Sequence, residues 1–235
     1  CQIPRPWVRD PNFTIVEAAR EEAAGYSFPS GHTQSVTASL GCIARFSKSK
    51  ALRAVCIILI LLTGLSRMYL GVHTPADVGV SLVIGTLLVL VLYPIFEKTK
   101  EKPVYMYIII WVLILCSFTY LLFVELHQWP ADIDRHNLAG GIKNAYLLFG
   151  CSLAMLLSYT IERKYVKFEV KAVWWAQILK VVIGLALVLA IKSGLKPVLE
   201  TIFGGHIIAT AVRYFIIVIF AACVWPLTFK WFQRQ

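Results

Sequence analysis

Residues 51–70 read ALRAVCIILILLTGLSRMYL, an almost unbroken apolar run that closes on Ser66-Arg67. At about 1.5 Å per residue a helix of that length crosses a hydrocarbon core of about 30 Å. Comparable runs follow at 77–96, 104–124, 144–161, 173–193 and 206–226, and a shorter, more polar one precedes them at 32–47. Together they predict about seven spans. Open sheet edges do not survive in lipid and no short alternating apolar–polar strands recur, so the expected class is all-α, a polytopic transmembrane helical bundle.

Composition agrees. The chain is 58% hydrophobic and 15% charged, with mean hydropathy +0.71, which excludes an ordinary water-soluble domain. Its formal net charge of +10 is not gathered into a basic, aromatic-interleaved patch, so nucleic acid is not an expected partner. The basic residues fall between spans: Arg45, Lys48, Lys50 and Arg53, then Lys98, Lys100 and Lys102, then Arg163, Lys164, Lys167 and Lys171, and finally Lys230 and Arg234. The positive-inside rule assigns those ends to the cytoplasm. Arg5, Arg67 and the segments around them then face outward.

The six cysteines show no C-x-x-C pair, and Cys42, Cys56, Cys116, Cys151 and Cys223 lie inside apolar runs, so they read as small core residues. Trp129, Trp174, Trp175, Trp225 and Trp231 sit near span ends, as interfacial anchors do. The chain opens at Cys1 without a signal-peptide pattern, which predicts a segment upstream.

Two blocks carry the chemistry. In Pro29-Ser30-Gly31-His32, Ser30 suits an N-cap and Gly31 lets backbone approach a ligand, so the block reads as a helix start whose free N–H groups can hold a phosphate. In the second block, Ser66-Arg67 is followed by His73 and Asp77, and Thr74-Pro75-Ala76-Asp77 is itself a helix-start signature with Asp77 as the capping-box acid. Asp77 also lies one helical turn beyond His73, close enough to fix its tautomer and leave the other nitrogen free to attack. Arg67, and Arg5 between Pro4 and Pro6, supply planar forks for phosphate oxygens. Upstream, Thr14 and Glu17 predict a short capped helix ended by Gly25, with Glu17, Arg20, Glu21 and Glu22 on a solvated face.

The succession R-P, P-S-G-H and S-R-x-x-x-x-x-H-x-x-x-D over residues 1–96 resembles the type 2 phosphatidic acid phosphatase superfamily of integral membrane lipid phosphatases. The resemblance implies that His73 is a nucleophile forming a phosphohistidine, that Asp77 orients it, and that His32 protonates the leaving oxygen. It places Arg5, Ser30, Gly31 and Arg67 at phosphate-binding positions. The family's first motif also carries a lysine that would fall ahead of Cys1, so an N-terminally incomplete chain is expected. No cofactor and no metal is implied.

The predicted organisation is a phosphatase core over 1–103 and a four-span extension over 104–235. The predicted activity is hydrolysis of a lipid phosphate or diphosphate at the non-cytoplasmic face of the cell membrane. A phosphotransferase, or a non-catalytic lipid-binding or transport protein on the same fold, is the alternative. Expected partners are the lipid phosphate and membrane lipids, with a homodimer open. A metal site of His32, His73 and Asp77 would leave Arg67 and Ser30 without a task. His127, Asp132, Asp134 and His136 share one outer loop but fit no ligand pattern tightly. Lys180 and Arg213 lie within spans, where a charge needs a partner or a function; Gln177 and Gly184 share a helical face with Lys180, which reads as interhelix contact or as a lipid-phosphate site, and His206 begins a span.

Overall fold

The computed structural model describes residues 3–10, 12–23, 25–131 and 133–232. Cys1, Asp132 and Arg234 lie outside the described residues, as do the side chains of Glu21 and Glu22. Among the described residues every regular element is helical: α1 Pro6–Arg9, α2 Glu17–Glu22, α3 Gly31–Phe46, α4 Lys50–Tyr69, α5 Pro75–Glu101, α6 Val104–Leu126, α7 Arg135–Ile161, α8 Trp174–Ile202, α9 Ile208–Ile219 and α10 Phe229–Phe232. A π turn extends α7 through Glu162–Val166, and α9 runs into α10 through a π turn and a 3-10 turn. The fold is an all-α polytopic bundle.

Among the described residues, six helical runs are long and apolar enough to cross a membrane: Lys50–Tyr69, Pro75–Glu101, Val104–Leu126, Arg135–Val166, Trp174–Ile202 and Ile208–Phe232. The remaining run of the sequence reading, α3, has 16 residues. At about 24 Å it is shorter than a hydrocarbon core. It packs against both α4 and α5, burying Thr33 and Thr37.

The chain divides into two compact units. One holds the described residues up to Tyr105 together with Asp134–Leu138, and the other holds Met106–Ile133 and the described residues from Ala139 on.

In the first unit, α3 and α5 approach until a Cβ at Gly85 would stand 2.8 Å from Thr37 Cβ. Small residues permit such contacts between helices in lipid, where dispersion rather than water exclusion drives association. Ile57, Ile58, Leu61, Leu62 and Leu65 on α4 stay exposed, as lipid-facing side chains must. Phe46 meets Tyr93, and Arg45 lies over the same ring. The C-termini of α3 and α5 therefore share one end of the unit, with Arg45, Lys98 and Lys100 near it.

In the second unit, hydroxyls of Ser117 and Ser152 join α6 to α7 at 2.9 Å. A Cβ at Gly150 would run into the Ala211 carbonyl, so α7 and α9 touch backbone to backbone. Lys180 is buried, donates to the Val170 carbonyl at 3.3 Å and stands 4.6 Å from the Phe229 ring. Its charge is thus met by packing within this unit.

Two sequence expectations are corrected. The short helix α2 starts at Glu17 with Val16, not Thr14, at its N-cap and no side-chain cap. The reason is tertiary: Val16 N donates to the Leu70 carbonyl, which holds the strand of chain before α2 extended. Trp225 is not a free interfacial anchor, since its ring fills the space that a Cβ at Gly184 would take and meets Phe229 edge-on. Trp174 and Trp231, by contrast, are exposed.

Candidate active site

The site is built at the ends of the first unit's helices opposite Arg45 and Lys100. Helix α5 opens as its sequence dictates: Thr74 Oγ1 accepts from Asp77 N at 3.3 Å, and Asp77 Oδ2 accepts from Thr74 N at 2.7 Å. This reciprocal capping box holds the Asp77 carboxylate at the helix mouth. Asp77 does more than cap. The same Oδ2 accepts from the Ser27 hydroxyl at 2.5 Å and lies 3.6 Å from His73 Nδ1.

The other face of the imidazole meets Arg5, whose Nη1 lies 3.0 Å from His73 Nε2. A guanidinium only donates, so Nε2 must accept and the ring proton sits on Nδ1, which faces Asp77 from beyond hydrogen-bond distance and is otherwise unpartnered. His73 is 4% exposed. Burial, and next the charge of Arg5, lower its pKa to about 4, against the opposing pull of Asp77. The ring is therefore neutral at pH 7, with a lone pair on Nε2.

Beyond His73, Arg5 Nε donates to the Gly25 carbonyl at 3.0 Å, and Nη1 reaches the Val72 carbonyl at 3.0 Å. Its backbone is extended, as the flanking prolines require, and it caps α1. Burial lowers its pKa. The turn bearing His73 is locked beneath this N-terminal segment. Gly71 has φ +74, and a Cβ there would strike the Thr14 carbonyl.

The first block is joined to the second through the backbone, where Ser30 N donates to the Asp77 carbonyl at 3.4 Å. Ser30 occupies the N-cap of α3, yet its fully buried hydroxyl bonds Thr33 Oγ1 at 3.0 Å rather than the helix N–H groups. The first turn of α3, with Gly31 and the exposed His32, thus lacks a side-chain cap. Such a turn offers donors and positive potential to an anion. Arg67 closes the last turn of α4, and its Nε is buried with no hydrogen-bond partner. A buried guanidinium N–H left unpaired costs about 1–3 kcal/mol or more. An anion's oxygen is the kind of partner that would satisfy it.

Of the seven predicted residues, Arg5, His73 and Asp77 form one contact cluster, and Ser30 is tied to it by backbone. Gly31, His32 and Arg67 border the same end, although His32 and Arg67 hydrogen-bond to neither His73 nor Asp77. Sequence reading missed Ser27 and Asn137. Asn137 Oδ1 accepts from Gly25 N at 2.7 Å, and Asn137 Nδ2 donates to Asp134 Oδ2 at 2.8 Å. No local pattern announces a contact between residues 112 apart in the chain. Asp134 instead caps α7 through the backbone N–H groups of His136 and Asn137. His127 stacks on Phe123. Among the described residues no group of three His, Cys, Asp or Glu side chains gathers as a metal site.

Residues 1–101 match the family model of the PAP2 superfamily, and residues 146–235 match that of the PAP2 superfamily phosphatase, transmembrane extension. The chain belongs to the PAP2 superfamily and is a multi-pass membrane phosphatase. No curated protein and no solved structure matches it.

Proposed function

We propose that the protein hydrolyses a lipid phosphate or diphosphate through a phosphohistidine on His73, at the non-cytoplasmic face of the cell membrane. The observation that carries this reading is the buried imidazole between Arg5 and Asp77, its Nε2 lone pair directed at a guanidinium. When a phosphate group enters, Nη1 of Arg5 transfers its hydrogen bond from Nε2 to a phosphoryl oxygen. Nε2 is then free to attack phosphorus as the bond to the leaving oxygen breaks. Charge growing on the equatorial oxygens is met by Arg5, Arg67 and the N–H groups that open α3. His32 gives a proton to the leaving oxygen, then takes one from the water that cleaves the phosphorus–nitrogen bond. Asp77 stabilises the imidazolium character that develops on His73. These cationic and backbone donors serve the charge without a metal.

A lipid substrate is favoured by an apolar groove of about 520 Å³ in the same unit. Gly41, Ile57, Leu61, Leu82 and Val89 line its apolar stretch, which suits a hydrocarbon tail, and Arg45 and Arg53 line its end away from the site. The basic residues at the opposite end of α3 and α5 favour the outward orientation of the site.

The test is phosphate release from a panel of lipid phosphates, with acid-labile phosphate trapped on the protein by rapid quenching. His73→Ala is expected to lose turnover by about 10⁴-fold or more, with no trapped adduct and an unchanged helical spectrum. Turnover in wild type should survive chelators and be blocked by vanadate. Retained turnover in His73→Ala would refute the mechanism. Transfer of the phosphoryl group to a second lipid instead of water would make the protein a transferase.

A further inference from the structure

The second unit holds a buried cation that the site above does not use. Arg213, on α9 within the run Ile208–Phe232, is 8% exposed. Its Nε is buried with no hydrogen-bond partner, and its guanidinium carbon lies 5.4 Å from the Tyr214 ring. Among the described residues Arg213 forms no ion pair, and a charge held so inside an apolar helix bundle is costly and by default marks a functional position.

Arg213 lines a small pocket with Lys196 and Glu200 from α8, Gly205 and His206 from the connecting turn, and Thr210 from α9. Gly204 and Gly205, at φ +59 and +78, make the reversal that brings the start of α9 back beside the end of α8. His206 Nδ1 accepts from Ile208 N at 3.2 Å, which fixes its ring at that start. The pocket measures about 70 Å³. That is room for a few waters or one tetrahedral anion, and too little for a sugar. Among the described residues Glu200 forms no ion pair with Lys196 or Arg213. Two fixed positive charges thus face one exposed carboxylate, and the balance is cationic.

We propose that this pocket binds a phosphate group, presented by a lipid headgroup or as free inorganic phosphate. Arg213 provides the planar fork, Lys196 a second charge, and Thr210 a hydroxyl donor. The inference stands on the second unit alone. Its test reads binding rather than turnover, so it survives or fails independently of the phosphohistidine mechanism.

The experiment uses the intact chain in phosphatidylcholine nanodiscs. Inorganic phosphate is titrated calorimetrically into wild type, Arg67→Ala, Arg213→Met and Lys196→Met. A second arm places the His73→Ala chain in nanodiscs containing phosphatidic acid and reads retained lipid by native mass spectrometry, with and without Arg213→Met. The expected result is a binding event that Arg67→Ala leaves intact and Arg213→Met weakens about 10- to 100-fold. An effect confined to the calorimetric arm assigns the pocket to free phosphate, and one confined to the lipid arm assigns it to a headgroup. If a folded Arg213→Met protein matches its parent in both arms, the proposal is overturned.

Should Arg213→Met not fold, the exposed positions decide. Lys196→Met must weaken binding, and Glu200→Gln must strengthen it by removing the opposing charge. If Glu200→Gln weakens binding or Lys196→Met leaves it unchanged, Glu200 is the partner of Arg213 and the pocket is not a phosphate site.

Discussion

The two units hold their buried charges differently, although each keeps one buried guanidinium Nε unpaired, Arg67 in the first and Arg213 in the second. In the first, Arg5, His73 and Asp77 interlock through Ser27, Val72 and Gly25, so each group is oriented by at least one neighbour. In the second, Lys180 rests on aromatic rings and a carbonyl, while Arg213 Nε finds no partner. The first arrangement fixes a tautomer and the direction of the Nε2 lone pair. The second leaves cohesion to close backbone contact, as at Gly150 and Ala211. Directional polar networks position chemistry, whereas small residues position helices.

The sharpest way to break this contrast is to remove one group from each unit. Arg67→Ala is expected to lower kcat/KM by about 10²- to 10³-fold, the usual effect of deleting a donor to transition-state charge. Because Arg67 Nε is unpartnered in the structure, the thermal midpoint should not fall. Gly150→Leu should do the reverse. Its side chain meets the Ala211 backbone, so stability should drop by about 1–3 kcal/mol, read as a lower denaturation midpoint. Turnover per folded molecule should hold.

A smaller effect lies in the protonation of His73. With its folded pKa lowered to about 4 from 6.5, the unfolded chain binds the proton more readily. Stability from this group is therefore present above pH 6.5 and lost as pH falls from there to about 4. Nitrogen-detected NMR of the imidazole should show titration near 4. Arg5→Ala should move that value upward but not fully to 6.5, because burial is the larger cause. A ring titrating at 6.5 in wild type would mean that the cluster does not hold in solution.

Smallest of all, Asn137→Ala should reduce kcat by about threefold to tenfold with little change in KM, since Asn137 acts only through Gly25 and Arg5. An unchanged kcat would confine the network to the residues in direct contact with His73.

Much of this was legible in the sequence because it is local. The Thr74-Pro75-Ala76-Asp77 box forms as read, its partners lying within one helical turn. The spans were visible through apolar length, although α3 is a short helix packed on α4 and α5. Thr14 illustrates the limit. Its cap signature is sound, yet the contact of Val16 with Leu70 outweighs it, since a weak local preference yields to a tertiary hydrogen bond. Trp225 is similar: an aromatic near a span end looks the same in sequence whether it faces lipid or Gly184.

By itself, then, the amino-acid order determined the helical class, the membrane spans and the capping box that opens α5, because periodicity, apolar length and i-to-i+4 spacing are properties of neighbouring residues. Only the tertiary structure decided that Asp77 both caps and faces His73, that Arg5 fixes the imidazole tautomer from 68 residues away, and that Arg67 and Arg213 keep buried nitrogens unpaired. Those outcomes depend on which chain segments close against one another, and loop closure over such distances leaves no local signature.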